Sequence, residues 1–184
     1  MKAIVNTTAS SLEWRDPVAA EHQFELWAGE DLLATLAFGS PSRTLATVET
    51  VEGRWTFQQA GFLLPRVLVR DQDSDQDLAV FHPGILDNGH LRFSNGVAFH
   101  WRHEGLGSAA WSFRGDGGET LITLHLEPAL GTGAGPHRVQ AEVKVTPAGH
   151  FSPRVPLLAA LGWYLILLHR QEHTVDTEPM EHVF

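Results

Sequence analysis

The chain contains no cysteine. Disulfides, thiolate metal centres and thiol nucleophiles are therefore excluded, and the composition is compatible with a reducing cytoplasm, the compartment we expect. Lysine is almost absent as well: Lys2 and Lys144 stand against eleven arginines. Bases total 13 against 22 acids, for a formal net charge of -9. Nucleic acid and anionic membrane surfaces repel a chain of this charge unless one face gathers its arginines, so nucleic acid is not an expected partner. No apolar run follows Lys2, so no signal peptide is expected.

Catalytic motifs are also lacking. Gly105-Leu106-Gly107-Ser108-Ala109 does not have the Gly-x-Ser-x-Gly order of a nucleophile elbow. Gly131-x-Gly133-x-Gly135 lacks the spacing of a dinucleotide loop, and a strand pattern, not a helix, comes after it. We expect no enzyme activity and no cofactor.

What is present is one uninterrupted apolar stretch, Val155 to Leu168. Residues 155–169 as a helix would extend about 22 Å. A bilayer span needs about 20 apolar residues and about 30 Å, so no transmembrane segment is expected. A helix apolar on every side is one buried on every side. Leu157, Leu158, Leu161, Trp163, Leu165, Ile166 and Leu168 are its predicted core residues. Pro153 and Pro156 suit its start, and Ala159, Ala160 and Gly162 allow close approach of a surrounding wall. His169 and Arg170 suit its C-terminal end, where cations meet the negative pole of the helix dipole.

Before that helix, short apolar segments alternate with turn chemistry. Residues 1–10 show no periodicity and read as a flexible arm. Asp16-Pro17 could open a short helix, but Phe24 to Trp27 followed by Ala28-Gly29-Glu30 favours a strand entering a turn. Leu32, Ala34, Leu36 and Phe38 share one strand face, and Thr44 to Val51 is rich in β-branched residues. In Arg54 to Gln58 the alternation places Trp55 and Phe57 inward. Arg66 to Arg70 and Leu78 to Phe81 follow as strands. Asp87-Asn88-Gly89 and Asn95-Gly96 read as hairpin turns, because Asn-Gly supplies the positive φ angles that a type I′ turn requires. Later strands are expected around His90 to Phe93, Val97 to Arg102, Trp111 to Arg114, Leu121 to Leu126, and 138–145, where Val139, Ala141, Val143 and Val145 oppose Arg138, Gln140, Glu142 and Lys144. About twelve strands with no βαβ spacing predict one antiparallel all-β domain over residues 11–170. An eleven-stranded can encloses a central helix, so a closed barrel of about twelve strands around the C-terminal helix is sterically sensible. Residues 171–184 read as an acidic disordered tail.

Together, Trp55-Thr56-Phe57, Gly61 to Arg70, Trp111-Ser112-Phe113 and Leu157 to His169 make a pattern similar to the tubby-like superfamily. This superfamily includes the tubby C-terminal domain, phospholipid scramblases and LURP-one-related proteins. The resemblance covers about residues 12–170. It implies a twelve-stranded barrel around a hydrophobic helix and a non-catalytic binding or scaffold role, with a protein or a phospholipid as partner. Tubby domains bind phosphoinositide head groups through basic residues on the barrel wall.

Three groups of side chains are candidate sites. Arg66 and Arg70 point outward from one strand about 13 Å apart, with Arg54 nearby in sequence, and such a cluster could hold a lipid phosphate. Asp71, Asp73, Asp75 and Asp77 alternate as at the start of a calcium loop, but Gln76 stands where that loop needs glycine. A solvated hairpin tip is the expected reading there, with a weak calcium site as the alternative. The eleven histidines suggest no metal site: His100 and His103 fall on opposite strand faces, and His82, His90, His100 and His125 occupy different strands. A third functional reading is a carrier of apolar ligands, in which the helix moves aside for a lipid chain.

Overall fold

The computed structural model describes residues 1–4, 11–17, 22–39, 44–61, 64–85, 87–105, 107–127 and 140–175, the last four by backbone alone. Among these residues twelve strands form one antiparallel barrel: β1 Ser11–Arg15, β2 Gln23–Ala28, β3 Asp31–Phe38, β4 Leu45–Thr50, β5 Arg54–Ala60, β6 Arg66–Asp71, β7 Gln76–Pro83, β8 Gly89–Phe93, β9 Ala98–His103, β10 Ala110–Gly115, β11 Thr120–Leu126 and β12 Ala141–Val145. Each strand pairs with its neighbours in sequence, and β1 pairs with β12 to close the ring. A short helix α1, Pro147–His150, leads into α2, Val155–Val175.

The period-two alternation decides which side chains face the lumen. Trp55 and Phe57 on β5, Val67 and Val69 on β6, Leu91 and Phe93 on β8, and Ala141 and Val143 on β12 are all buried. On β3 the pattern shifts. Leu26 pairs with Ala34 and Trp27 with Leu32, so Leu33 is an additional residue on a bulge. The bulge buries Leu33 beside Ala34 and leaves Leu32, the predicted inward residue, only half-buried.

The tight hairpins 29–30, 51–53, 72–75, 94–97 and 116–119 gather at one end of the barrel, here called the near end. The opposite strand ends, from Arg15 and Gln23 round to Leu126 and Ala141, lie at the far end. Neither Asn-Gly turn is type I′: before β8 the positive φ falls on Asp87 and not on Asn88 or Gly89, and the 94–97 hairpin also differs. In the latter Gly96 N donates to Phe93 O and Phe93 N to Val97 O, and only Gly96 has positive φ, at 88°. That is a type I turn closed by a glycine bulge, stabilised by the Asn95 side chain accepting from Val97 N at 3.2 Å.

Helix α2 threads the barrel from the near end to the far end. At its start the Arg154 guanidinium lies 4.5 Å from the centre of the Phe93 ring. Every residue from Val155 to Leu168 is buried, including all seven predicted core residues. Gly162 is needed for close packing: a Cβ there would sit 2.9 Å from Leu124 Cδ1 and 3.1 Å from Trp101 Cζ3. Trp163 stacks on Trp14 with centroids 5.9 Å apart and planes 7° from parallel. The Tyr164 hydroxyl donates to the Thr44 carbonyl at 2.9 Å, so the polar atom of this buried phenol has a partner. Burial pushes its pKa well above the usual tyrosine value.

Several expectations are corrected. The helix runs to Val175 rather than ending at residue 169, because no glycine or proline stops it after the apolar run. Residues 171–175 therefore belong to the helix, while 176–184 lie outside the described residues. The described part of the N-terminal arm, residues 1–4, is anchored: Ile4 is buried in the core, its amide donates to the Glu52 carboxylate, and Lys2 pairs with Asp31 at 2.7 Å, while 5–10 lie outside the described residues. Helix α1 adds to the predicted elements, and Thr146-Pro147 carries its signal. Thr146 caps the helix by accepting from Gly149 N at 3.1 Å, and proline occupies its first turn. Arg138 and Val139 of the predicted last strand, the Gly131–Gly135 loop and most of the possible helix after Asp16 fall outside the described residues. Among the described residues no helix is long and apolar enough to cross a membrane.

Candidate functional site

With the helix occupying the lumen, space for a ligand must be found at the rim or on the outer wall. A cleft of about 200 Å³ opens at the far end, where the last buried turns of α2 separate from the wall formed by β5, β6, β7, β9 and β10. Its floor is Leu165, Ile166 and Leu168, and its sides include Val67, Phe81, Trp101 and Trp111. Arg66, Asp87, Asn88, Gln59 and His169 supply its polar atoms. Ligand pockets for whole small molecules usually measure about 300–1,000 Å³, so this cleft suits a small ligand or one end of a larger one.

The chemistry of the rim follows from its neighbours. His169 Nδ1 lies 3.1 Å from Asp87 Oδ1, tying the helix exit to the β7–β8 connection. Asp87 sits at φ 58°, a conformation that Asp tolerates better than most residues, so its carboxylate is presented by the turn itself. Trp111 contacts the His169 and His103 rings at centroid distances of 6.1 and 5.0 Å. The His103 Nε2–H donates to the Ser108 carbonyl at 2.7 Å. Leu64 and Ile85, in the connections flanking β6 and β7, are 84% and 83% exposed.

The three candidate arginines do not form one cluster. Val67 and Val69 face inward and Arg66 and Arg70 outward, as the alternation predicts. Arg70 Nε pairs with Asp77 Oδ1 at 2.7 Å, and Arg54 pairs with Asp73, which holds its pKa above the ordinary arginine value. Both arginines are thereby committed to the acidic 71–77 loop at the near end. Arg66 stands apart at the far-end cleft and makes no ion pair among the described residues.

The acidic loop uses its carboxylates internally. Asp71 Oδ1 accepts from Ser74 N at 2.8 Å, from Ser74 Oγ at 3.0 Å and from Asp73 N at 3.0 Å, which holds its carboxyl below the usual range. Asp75 occupies a left-handed conformation at φ 53°. With Asp73 and Asp77 paired to arginines, the loop does not arrange its oxygens around one point. Among the described residues no group of three or more His, Asp or Glu side chains is placed to hold a metal ion.

On β9 and β10 a second polar group is fixed on the outer wall. Arg114 holds Glu104 with contacts of 2.9 and 3.1 Å, and the buried Ser112 hydroxyl donates to the same carboxylate. Ser112 first, then Arg114, hold the Glu104 carboxyl below its ordinary value. His82, His90 and His100 form a row on β7, β8 and β9, directly opposite one another in register. Desolvation, then the charges of His82, Arg92 and His100, lower the pKa of His90.

Sequence reasoning missed the cleft because its walls come from five strands and a helix distant in the chain. Of its polar residues the sequence signals Arg66, Asp87, Asn88 and His169, each for another reason. The histidine row was within reach of the strand alternation, but the register that aligns three separate strands was not.

Comparison with family models, with curated proteins and with solved structures gave no match to this chain.

Proposed function

We propose that the protein is a non-catalytic binding module of tubby-like architecture whose seat is the far-end cleft. The observation that carries this reading is the filled lumen: with α2 buried from Val155 to Leu168, the cleft beside Leu165 and Leu168 is where apolar surface meets the rim. Its lining favours an amphipathic ligand group, with an apolar part against Trp101 and Trp111 and an anionic part at Arg66. The size of the cleft favours anchoring part of a larger partner over enclosing a metabolite. Titration with an anionic amphiphile such as octanoate, read from the indole N–H resonances of Trp101 and Trp111, tests it. Shifts of both that vanish in Arg66→Glu support the reading, and unmoved resonances at millimolar octanoate count against it.

A second reading, phospholipid binding, is favoured by one further observation. Leu64, before β6, and Ile85, after β7, expose large apolar side chains in far-end connections, and Arg66 opens β6, a combination suited to an interface with apolar tails and anionic heads. Vesicles containing phosphatidylserine or a phosphoinositide should then co-sediment with the protein, and Leu64→Asp with Ile85→Asp should abolish this. Co-sedimentation unchanged by that pair of substitutions would remove the site from consideration. Arg54 and Arg70, tied to Asp73 and Asp77, are weaker candidates for the phosphate. The carrier reading has the least support, because close packing around Gly162 resists withdrawal of the helix.

A further inference from the structure

Away from the cleft, the outer face of β7, β8 and β9 carries three imidazoles in line. His82 pairs with His90 across β7 and β8, and His90 pairs with His100 across β8 and β9. His82 and His90 are exposed and His100 is half-buried, so all three project outward from the wall. Adjacent strands lie about 4.8 Å apart, so each flanking histidine is one strand spacing from His90. The backbone pattern brings one pair closer still. Phe93 N donates to Val97 O, and alternation along β8 then makes His90–His100 a non-hydrogen-bonded pair, the class with the shorter Cα separation of about 4.5 Å.

The rings of one pair already touch. His82 and His90 have centroids 5.1 Å apart and planes 21° from parallel. Beyond the row, Asp116 Oδ1 lies 3.4 Å from His100 Nε2. A carboxylate beside a metal-ligating imidazole orients the ring and raises its basicity. In the stacked arrangement the ring nitrogens do not converge. As they stand the three imidazoles are not placed to hold an ion, so convergence requires rotation of these outward side chains about χ1 and χ2.

We propose that His82, His90 and His100 form an outward-facing site for a borderline transition-metal dication of the zinc, nickel or copper class, with His90 as the shared ligand. Imidazole nitrogen is the preferred ligand of these ions, whereas calcium and magnesium require oxygen cages that this face does not offer. Solvent completes the coordination shell on the open side. Three bases oppose the ion. Arg92 and Arg102 are exposed two residues along β8 and β9 from His90 and His100, and Arg114 is paired with His100 in register. The Arg114 charge is offset by Glu104, while those of Arg92 and Arg102 are screened by solvent over a Debye length of about 8 Å. The site is separate from the far-end cleft and does not depend on the function proposed there.

Calorimetric titration of the full-length, tag-free chain with Zn²⁺ tests the proposal, supported by Ni²⁺-induced broadening of histidine ring resonances. One saturable equivalent of Zn²⁺ is expected, with broadening concentrated on His82, His90 and His100. His90→Ala should weaken Zn²⁺ binding about tenfold or more, a change of about 1.4 kcal/mol or more. His82→Ala and His100→Ala should each weaken it less, and His125→Ala, on β11, should leave it unchanged. The substituted positions face solvent, and circular dichroism of each variant verifies that the fold is retained. Absence of a saturable equivalent, or His90→Ala binding Zn²⁺ as tightly as the parent, would overturn the proposal.

Discussion

His169 on α2 and Asp87 in the β7–β8 connection meet at 3.1 Å, and this contact marks where the helix leaves the barrel. Both side chains are partly exposed, 27% and 42%, so the pair sits in high dielectric and is worth less than its geometry suggests. A double-mutant cycle with His169→Ala and Asp87→Asn should give a coupling below about 1 kcal/mol in urea unfolding at pH 6. Asn retains the turn's positive φ, so the cycle isolates the charge. A coupling of several kcal/mol would mean that the rim is far drier than its exposure indicates.

The buried helix should dominate stability. Leu161→Ala removes a fully buried side chain from the axis of the barrel and should cost about 2–5 kcal/mol, read as a lowered urea midpoint. Gly162→Leu should also destabilise, because its side chain would run into Leu124 and Trp101. Deleting residues 155–184 should leave an insoluble or molten chain. A soluble truncation that unfolds cooperatively would contradict the role assigned to α2.

Tyr164 is the one phenol in the chain, and its hydroxyl is anchored to the Thr44 carbonyl at 2.9 Å. Tyr164→Phe retains the ring contacts with Phe38 and Phe57 but removes the donor. A loss of about 1–2 kcal/mol is expected in chemical denaturation, since the bond spans the helix and the wall.

Two of the groups with shifted values carry pH dependence in different windows. The folded-state pKa of His90 lies below its ordinary value of 6.5. The unfolded chain therefore takes up the proton first as pH falls, and stability drops from about pH 6.5 downward, levelling off beneath the folded value. His90→Gln should flatten the fall between about pH 7.5 and 5 in a series of urea midpoints.

Glu104 has a folded value below 4.5, so its contribution is present above that pH and is lost as pH falls through the folded value. Ser112→Ala removes the largest cause of the shift and should reduce acid sensitivity below pH 4.5. Carbon-detected NMR titration of the Glu104 carboxyl would show its midpoint moving upward in that variant.

Much of this architecture is written locally in the chain. Trp55 and Phe57 alternate with polar neighbours, so a strand places them inward whatever lies opposite. Val155 to Leu168 has no polar face, so a helix there must be enclosed. The short polar turns between strands leave antiparallel pairing as the simple connection, and the small residues around Gly162 signal a closely packed wall. These properties depend on periods of two and 3.6 residues, which a single segment carries by itself.

The site-forming relationships depend on register and closure, which no segment carries. A bulge at Leu33 changed which side chain entered the core, and the pairing of Arg54 with Asp73 and Arg70 with Asp77 divided a cluster that strand alternation alone would have kept together. Arg66 reached a cleft whose other walls come from β5, β7, β9, β10 and α2, and three histidines from separate strands came into line. The sequence by itself determined strands, their inward faces and a helix that had to be buried, because hydrophobic periodicity is local. Only the tertiary structure decided which charges neutralise one another and where the rim opens, because those contacts follow from closing twelve strands into one ring.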